Sequence, residues 1–348
     1  MIIVLCVCPE GLFGEKGYLM LLKAGPRFTL VFIAVLIALA IVPFFAGLFY
    51  QTFLTEVFIW ALFALSFDLL FGYTGMLSFG QALFFGLGGY AISIPVIRLG
   101  AGTGACLILS ILIPMLFAWF VGYFSVKLSG IHFVIITIIF ALIGSTLGET
   151  MTWLTGGGGG LAFRVSSLNM GLFEIDLLDI TSSYWLVLAI VALSYLFLVR
   201  LVESPLGKIF ISIRENEERA ELIGYNIRRY KLVCFIIAGG LSGLSGGLYS
   251  LTLKYSSADF LHWSVSGHGV LYTIVGGKGT LNGAILGTVI IRFLEHHLSD
   301  VLKGTDVIVG MVLIAMVLLA PRGLMGLIRG AMRGETKREK RRETWEVD

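Results

Sequence analysis

Long apolar runs separated by short polar stretches make up most of the chain. Phe28–Tyr50 passes without one charged residue, enough helix to cross a hydrocarbon layer of ~30 Å. Comparable runs at 52–71, 76–97, 105–126, 130–149, 183–202, 231–253, 281–298 and 305–320, with a shorter one at 262–276, predict an all-α polytopic bundle of about ten crossings. One long stretch interrupts the pattern, Glu203–Lys231, reading ESPLGKIFISIRENEERAELIGYNIRRYK. Ser204 before Pro205 is a helix start, because a Ser cap satisfies free N–H groups and Pro at the first position lacks one. Gly224 supplies a stop, and Leu206, Ile209, Phe210 and Ile213 recur at helical spacing between the two. Arg214–Glu218 and Glu215–Arg219, four apart, are expected to brace the outer face. The caps and the apolar stripe together predict a docking helix for a soluble partner. Burying those four apolar side chains in it is worth at most roughly 6–12 kcal/mol gross, less ordering and association costs.

Charge gives the orientation. The 203–231 loop carries Lys208, Arg214, Arg219, Arg228, Arg229 and Lys231, and the end of the chain carries the run Lys337-Arg338-Glu339-Lys340-Arg341-Arg342. The 150–182 loop has Arg164 alone, against Glu174, Asp176 and Asp179. Positive residues stay inside, so the loop and the tail are expected in the cytoplasm and 150–182 outside. An even number of crossings must then join Lys231 to the tail. That requires the Gly-punctuated 262–276 to cross as a broken or re-entrant helix, which membranes tolerate only where protein or water covers the backbone. Both termini then lie inside.

A 348-residue chain has room for two soluble domains, but a mean hydropathy of +0.94 and 14% charged residues exclude that organisation. A net charge of +3 with no basic patch among aromatics gives no nucleic-acid surface. Cys6, Cys8, Cys106 and Cys234 lie in or beside apolar segments, as small buried hydrophobes do. No metal set emerges, since His296–His297 lacks a third ligand, and no cofactor is implied.

Several motifs suggest chemistry. Phe71–Ala91 (FGYTGMLSFGQALFFGLGGYA) offers Thr74, Ser78 and Gln81 to a polar path, or its glycines to close helix packing. The turns Gly72-Tyr-Thr-Gly75-Met-Leu77 and Gly276-Gly-Lys-Gly279-Thr-Leu281 share a pattern of the sort internal transporter repeats leave. Thr155–Leu161 (TGGGGGL) lacks the Lys-Ser/Thr of a nucleotide loop and reads as a flexible outer turn. Gly243-Leu-Ser245-Gly246-Gly247 fits a serine-nucleophile pattern, and a peptidase with His296 or His297 as base is the rival from another class. Yet Gly239, Gly243 and Gly247 recur every four residues, as a packing face does. Asp68, Lys278 and Arg292 are ionisable groups at or near membrane depth, with Arg292 placed to pair with Glu295. Asp68 and Lys278 are expected near the inner surface, within reach of headgroups.

GYTGMLSFGQALFFGLGGYA, the TGG…GL loop at 155–161, SPLGKIFISIRENEERAELIGYNIRRYKL and IVGGKGTLNGAILG together resemble the LivM-type permeases of branched-chain amino acid ABC importers, over residues 28–328. Urea- and amide-importing permeases are similar and stand as the alternative. The resemblance implies a helical bundle paired with a second, LivH-type permease, two cytoplasmic ATPase subunits and a periplasmic solute-binding protein, in a bacterial inner membrane. It implies no catalysis by this chain, and a coupling role for the charged loop, here Ile213, Arg214, Glu215, Asn216, Glu217, Ala220 and Gly224. The pathway would involve Asp68, Gly75, Ser78, Gln81, Gly277 and Gly279. Gln81 and Asp68 depart from the His and Asn that many members carry.

Three regions follow: 1–27 as an extension, 28–320 as the permease domain and 321–348 as a charged tail. CPEGLFGEKG at 8–17 echoes APRGLMGLIRG at 320–330, as the tail of an upstream homologue would, placing the true start at Met20. No small-residue cleavage site follows the first apolar stretch, which argues against a signal peptide.

Overall fold

The computed structural model describes residues 26–45, 47–164, 167–169, 174–176, 179–299 and 323–326. The expectations for the extension, for Met20 as the start, for the 305–320 span and for most of the tail lie outside them. The first half is built from α1 (Pro26–Phe45), α2 (Leu48–Asp68), α3 (Gln81–Leu99), α4 (Thr103–Ser125) and α5 (Ile131–Thr150). The second half holds α6 (Ile180–Glu203), α7 (Pro205–Glu215), α8 (Glu217–Leu222), α9 (Ile227–Leu253), α10 (Trp263–Gly276) and α11 (Leu281–Ser299). Two small antiparallel pairs complete it: β1 (Leu161–Ala162) with β4 (Tyr255–Ser256), and β2 (Ser167–Asn169) with β3 (Glu174–Asp176).

Six helices among the described residues are long and apolar enough to cross a membrane, or seven with α10 and α11 taken as one broken unit. The all-α membrane bundle is therefore the observed architecture. The predicted 28–50 run is cut where α1 stops at Phe45 and α2 starts at Leu48. Pro43 in the last turn of α1 and the extended backbone at Gly47 (φ −62°, ψ 163°) end one helix before the next begins, a break that uniform hydropathy conceals. The 262–276 segment, expected to cross as a broken helix, is instead the continuous 14-residue α10, and the break follows it as a 111° bend to α11, so that the two make at most one span.

α9 runs through the middle of the bundle against α2, α3 and α4. Its four-residue glycine rhythm explains how. A side-chain carbon on Gly239 would meet Ala118, one on Gly243 would meet Pro114 and the Ser110 carbonyl, and one on Gly247 would meet Ser110, all on α4. Gly246 and Gly88 do the same between α9 and α3. Without a hydrophobic force between helices in lipid, such backbone approach supplies the packing that holds them together. Trp60, Phe63, Phe84, Phe85 and Phe235 fill the spaces around the glycines as edge-to-face and stacked rings.

TGGGGGL at 155–161 is pinned, contrary to the flexible turn expected. The Thr155 hydroxyl donates to the Gly148 carbonyl at 2.5 Å, and the Tyr255 hydroxyl donates to the Gly159 carbonyl at 3.0 Å. Leu161 then pairs with Ser256, so a long-range strand partner fixes what local composition would leave loose.

Candidate functional site

The polar loop folds as expected at its start and differently after it. Ser204 caps α7, its hydroxyl accepting from the Gly207 N–H at 3.4 Å, with Pro205 in the first position. The expected single helix to Gly224 breaks at Asn216, whose extended backbone (φ −163°, ψ 107°) ends α7. The Asn216 side chain caps α8 instead, accepting from the Arg219 N–H at 2.8 Å. Gly224 lies beyond the second helix in a left-handed conformation (φ +101°), the stop expected of it. The break carries Arg214 and Glu215 out of helical register with Glu218 and Arg219, so neither expected brace forms. Glu217 pairs instead with Lys231 of α9 at 2.6 Å.

The apolar stripe faces inward. Leu206, Phe210 and Ile213 are buried, Ile213 to 1% exposure, against α6, α9 and the end of α2 within the same chain. A stripe at helical spacing buries itself on whichever apolar surface is nearest, and here that is the bundle. The sequence reading of this face as the docking surface is corrected accordingly, and Ile213 and Ala220 are core residues. Glu215, Asn216, Glu217 and Gly224 are exposed. The apolar groups offered to solvent are two that the sequence reading passed over, Leu222 (88% exposed) and Ile223 (69%), at the tip of α8. The signal was available for Leu222, which ends a charged helix with Glu218 and Arg219 at i−4 and i−3.

Beneath α7 the two similar glycine turns meet. α2 runs on as a π-helical turn over Leu69–Thr74 and ends at Gly75 in a left-handed conformation (φ +81°). The Arg214 guanidinium donates to the Gly72 carbonyl, and Asp68 accepts from the Gly279 N–H at 2.7 Å. A side-chain carbon on Gly72 would strike Asp68 and the Gly279 nitrogen, and one on Gly279 would lie 2.7 Å from the Arg214 guanidinium. A side-chain carbon on Gly75 would lie 3.1 Å from the Arg214 side chain. Asp68, Gly72, Gly75, Arg214 and Gly279 therefore form one node, with the 203–231 loop on one side and the turns α2–α3 and α10–α11 on the other. Wider helical turns of this kind recur at functional positions.

Asp68 is fully buried, so the expectation that it reaches headgroups is corrected; Lys278 is exposed, with its ammonium 5.5 Å above the Phe71 ring. Gly277 (φ +111°) follows α10, its carbonyl accepting from Thr280. Ser78 and Gln81 stand apart from the node. The Ser78 hydroxyl accepts from the Gly80 N–H at 3.2 Å, and the Gln81 carbonyl accepts from Ser242 at 2.9 Å. Both are buried, and the Gln81 amide group has no hydrogen-bond partner.

Ser245 lies inside α9 and donates to the Ile59 carbonyl at 2.7 Å. The hydroxyl is committed to packing α9 on α2, while the surrounding glycines pack the same helix on α3 and α4. Ser245→Ala removes one neutral hydrogen bond, about 0.5–1.5 kcal/mol. Uptake in that variant is expected within about twofold of the unaltered protein; a protease would be inactivated.

A bundle of apolar spans with an amphipathic surface element, α7, keyed into the turns between them has the build of a membrane permease. Residues 49–320 match the family model for the branched-chain amino acid transport system / permease component, and the chain belongs to that family. It is 24% identical to the high-affinity branched-chain amino acid transport system permease protein LivM of Escherichia coli, over 90% of this chain and 83% of that one. A probable LivM protein of Methanocaldococcus jannaschii is 32% identical over 34% of each chain. The probable LivH protein of the same organism is 24% identical over 67% of each. No solved structure matches.

Proposed function

We propose that this chain is the membrane-spanning subunit of an ATP-driven importer for branched-chain amino acids or similarly small polar solutes, and that it couples to its motor through the 203–231 loop. Its partners are a second, LivH-type permease, two ATPase subunits on the cytoplasmic face and a periplasmic solute-binding protein. The loop and both termini face the cytoplasm of a bacterial inner membrane, with about ten crossings in all. ATP hydrolysis belongs to the ATPase subunits.

The observation that carries the reading is the Arg214 node. Leu222 and Ile223 enter an ATPase groove, and movement of α8 passes to α7 through Asn216 and to α9 through the Glu217–Lys231 pair. α7 is tied to the turns of both glycine-rich helix pairs, so its displacement tilts α2–α3 and α10–α11 together. A hydrogen bond to a charged group, worth about 1.5–3 kcal/mol, is strong enough to transmit such motion.

Orientation provides the test. In a chain whose other cysteines are replaced by Ser, Leu222→Cys is expected to react with an impermeant maleimide in inside-out vesicles only. Gly158→Cys, at a position with open space around it, is expected to react in right-side-out vesicles only. The reverse pattern, or uptake that persists without the ATPase subunits, would remove the coupling role.

A further inference from the structure

A second set of charged groups lies away from the node, toward the other ends of α2 and α11. Glu56 is twelve residues, about 18 Å, along α2 from Asp68. Arg292 is eleven residues, about 16 Å, along α11 from the turn that holds Gly279. Both belong to candidate membrane spans, Glu56 to Leu48–Thr74 and Arg292 to the bent pair Trp263–Gly276 with Leu281–His297. Arg292 bridges two carboxylates, donating to Glu56 and, at 2.9 Å, to Glu295. The His268 ring nitrogen of α10 stands 3.7 Å from Glu295. The guanidinium also lies 5.4 Å from the centre of the Trp60 ring.

Two features separate this set from an ordinary structural ion pair. The first is exposure. The Glu56 side chain is 33% and that of His268 39% open, on helices of apolar spans where a charge is costly against lipid. That surface must border water or protein. The second is unused hydrogen-bonding capacity. Trp60 Nε1 and the Tyr272 hydroxyl are buried without a partner, and the two rings lie 5.6 and 6.1 Å from that of His268. Buried donors left unpaired are costly, so a polar group that arrives and meets them is stabilised.

We propose that Glu56, Trp60, His268, Tyr272, Arg292 and Glu295 form a solute station on the transport path, built for a zwitterionic amino acid. Two carboxylates stand against one guanidinium, and their oxygens are the acceptors for the ammonium group. Trp60 Nε1–H and the Tyr272 O–H are the donors for the carboxylate end. The station rests on the importer reading above, and goes beyond it by naming where the solute pauses and which groups hold it.

The test uses the assembled importer in proteoliposomes with saturating leucine-loaded binding protein and radiolabelled leucine. Glu295→Gln and Glu56→Gln keep shape and remove charge. Each is expected to lower the maximal uptake rate by roughly 10- to 100-fold, the factor carried by a lost hydrogen bond to a charged group. The concentration of loaded binding protein giving half-maximal uptake, and ATP hydrolysis, are expected to stay unchanged. Trp60→Phe, which keeps a ring and deletes the N–H, is expected to lower the same rate by roughly 3- to 10-fold. Unchanged uptake in both Glu variants overturns the station and leaves the importer reading in place. Failure of either Glu variant to assemble with the second permease overturns it too, and makes the cluster a contact between subunits. Absence of ATP-dependent uptake by the unaltered complex defeats the importer reading itself.

Discussion

Gly72→Val is expected to abolish uptake and to lower the yield of folded protein from membranes, whereas Asp68→Asn is expected to leave both near normal. The first outcome follows from space. Any side chain at Gly72 enters the volume held by the Asp68 carboxylate and the Gly279 nitrogen, and neither neighbour is the free end of a flexible chain. Overpacking of this kind costs about 1–3 kcal/mol or more. Here it also prises apart the Asp68–Gly279 hydrogen bond, and a buried N–H left without its acceptor adds about 1–3 kcal/mol. The second outcome follows from chemistry. The bond to Gly279 uses one carboxylate oxygen, while the other is buried without a partner. Asn keeps the acceptor and gives up a charge that the node does not pair directly. Asp68→Leu, of similar size without an acceptor, is expected to behave like Gly72→Val. Uptake in whole cells, set against membrane yield and thermal stability of purified protein, separates the three variants. A Gly72→Val protein that transports normally would show that the two turns need not touch.

The same contrast explains what could be read from the sequence. Caps are local chemistry, and Ser204–Pro205 and Gly224 do what their residue types dictate. Close packing by Gly239, Gly243 and Gly247 was legible because small residues every four positions have one structural use between membrane helices. The apolar stripe of 206–213 was legible as a stripe but not as to its partner. Periodicity reports that a face is buried and is silent on what buries it. Asn216 was misread because an Asn inside a helical pattern can either continue the helix or cap a new one, and only the surrounding fold decides. Glu56 carried a signal that went unused, a charge within an apolar run, which in a membrane protein marks function by default. Its pairing with Arg292, 236 residues away, is a property of the assembled bundle that no local pattern encodes.

Leu222→Asp combined with Ile223→Asp is expected to leave the bundle intact and to disconnect it from its ATPase. These two side chains lie at 88% and 69% exposure with no partner in the chain to lose, so their replacement should not move the thermal stability of the isolated permease. Burying a large aliphatic side chain in a partner is worth about 1.5–3 kcal/mol. After ordering and desolvation costs, the pair contributes about 2–4 kcal/mol to the subunit contact, roughly a 30- to 1000-fold change in affinity. Placing two carboxylates beside Glu217, Glu218 and Glu221 concentrates negative charge on the same short segment, so any acidic partner surface is repelled as well. Ile213→Asp is the informative counterpart. That side chain is 1% exposed, so an unpaired charge there destabilises the whole permease and lowers its yield. Pull-down of the ATPase subunits on tagged permease, with uptake measured in parallel, distinguishes the two. Full recovery of ATPase and normal uptake in the Leu222/Ile223 double variant would move the docking surface off the tip of α8, leaving the exposed carboxylates of the loop as the remaining contact.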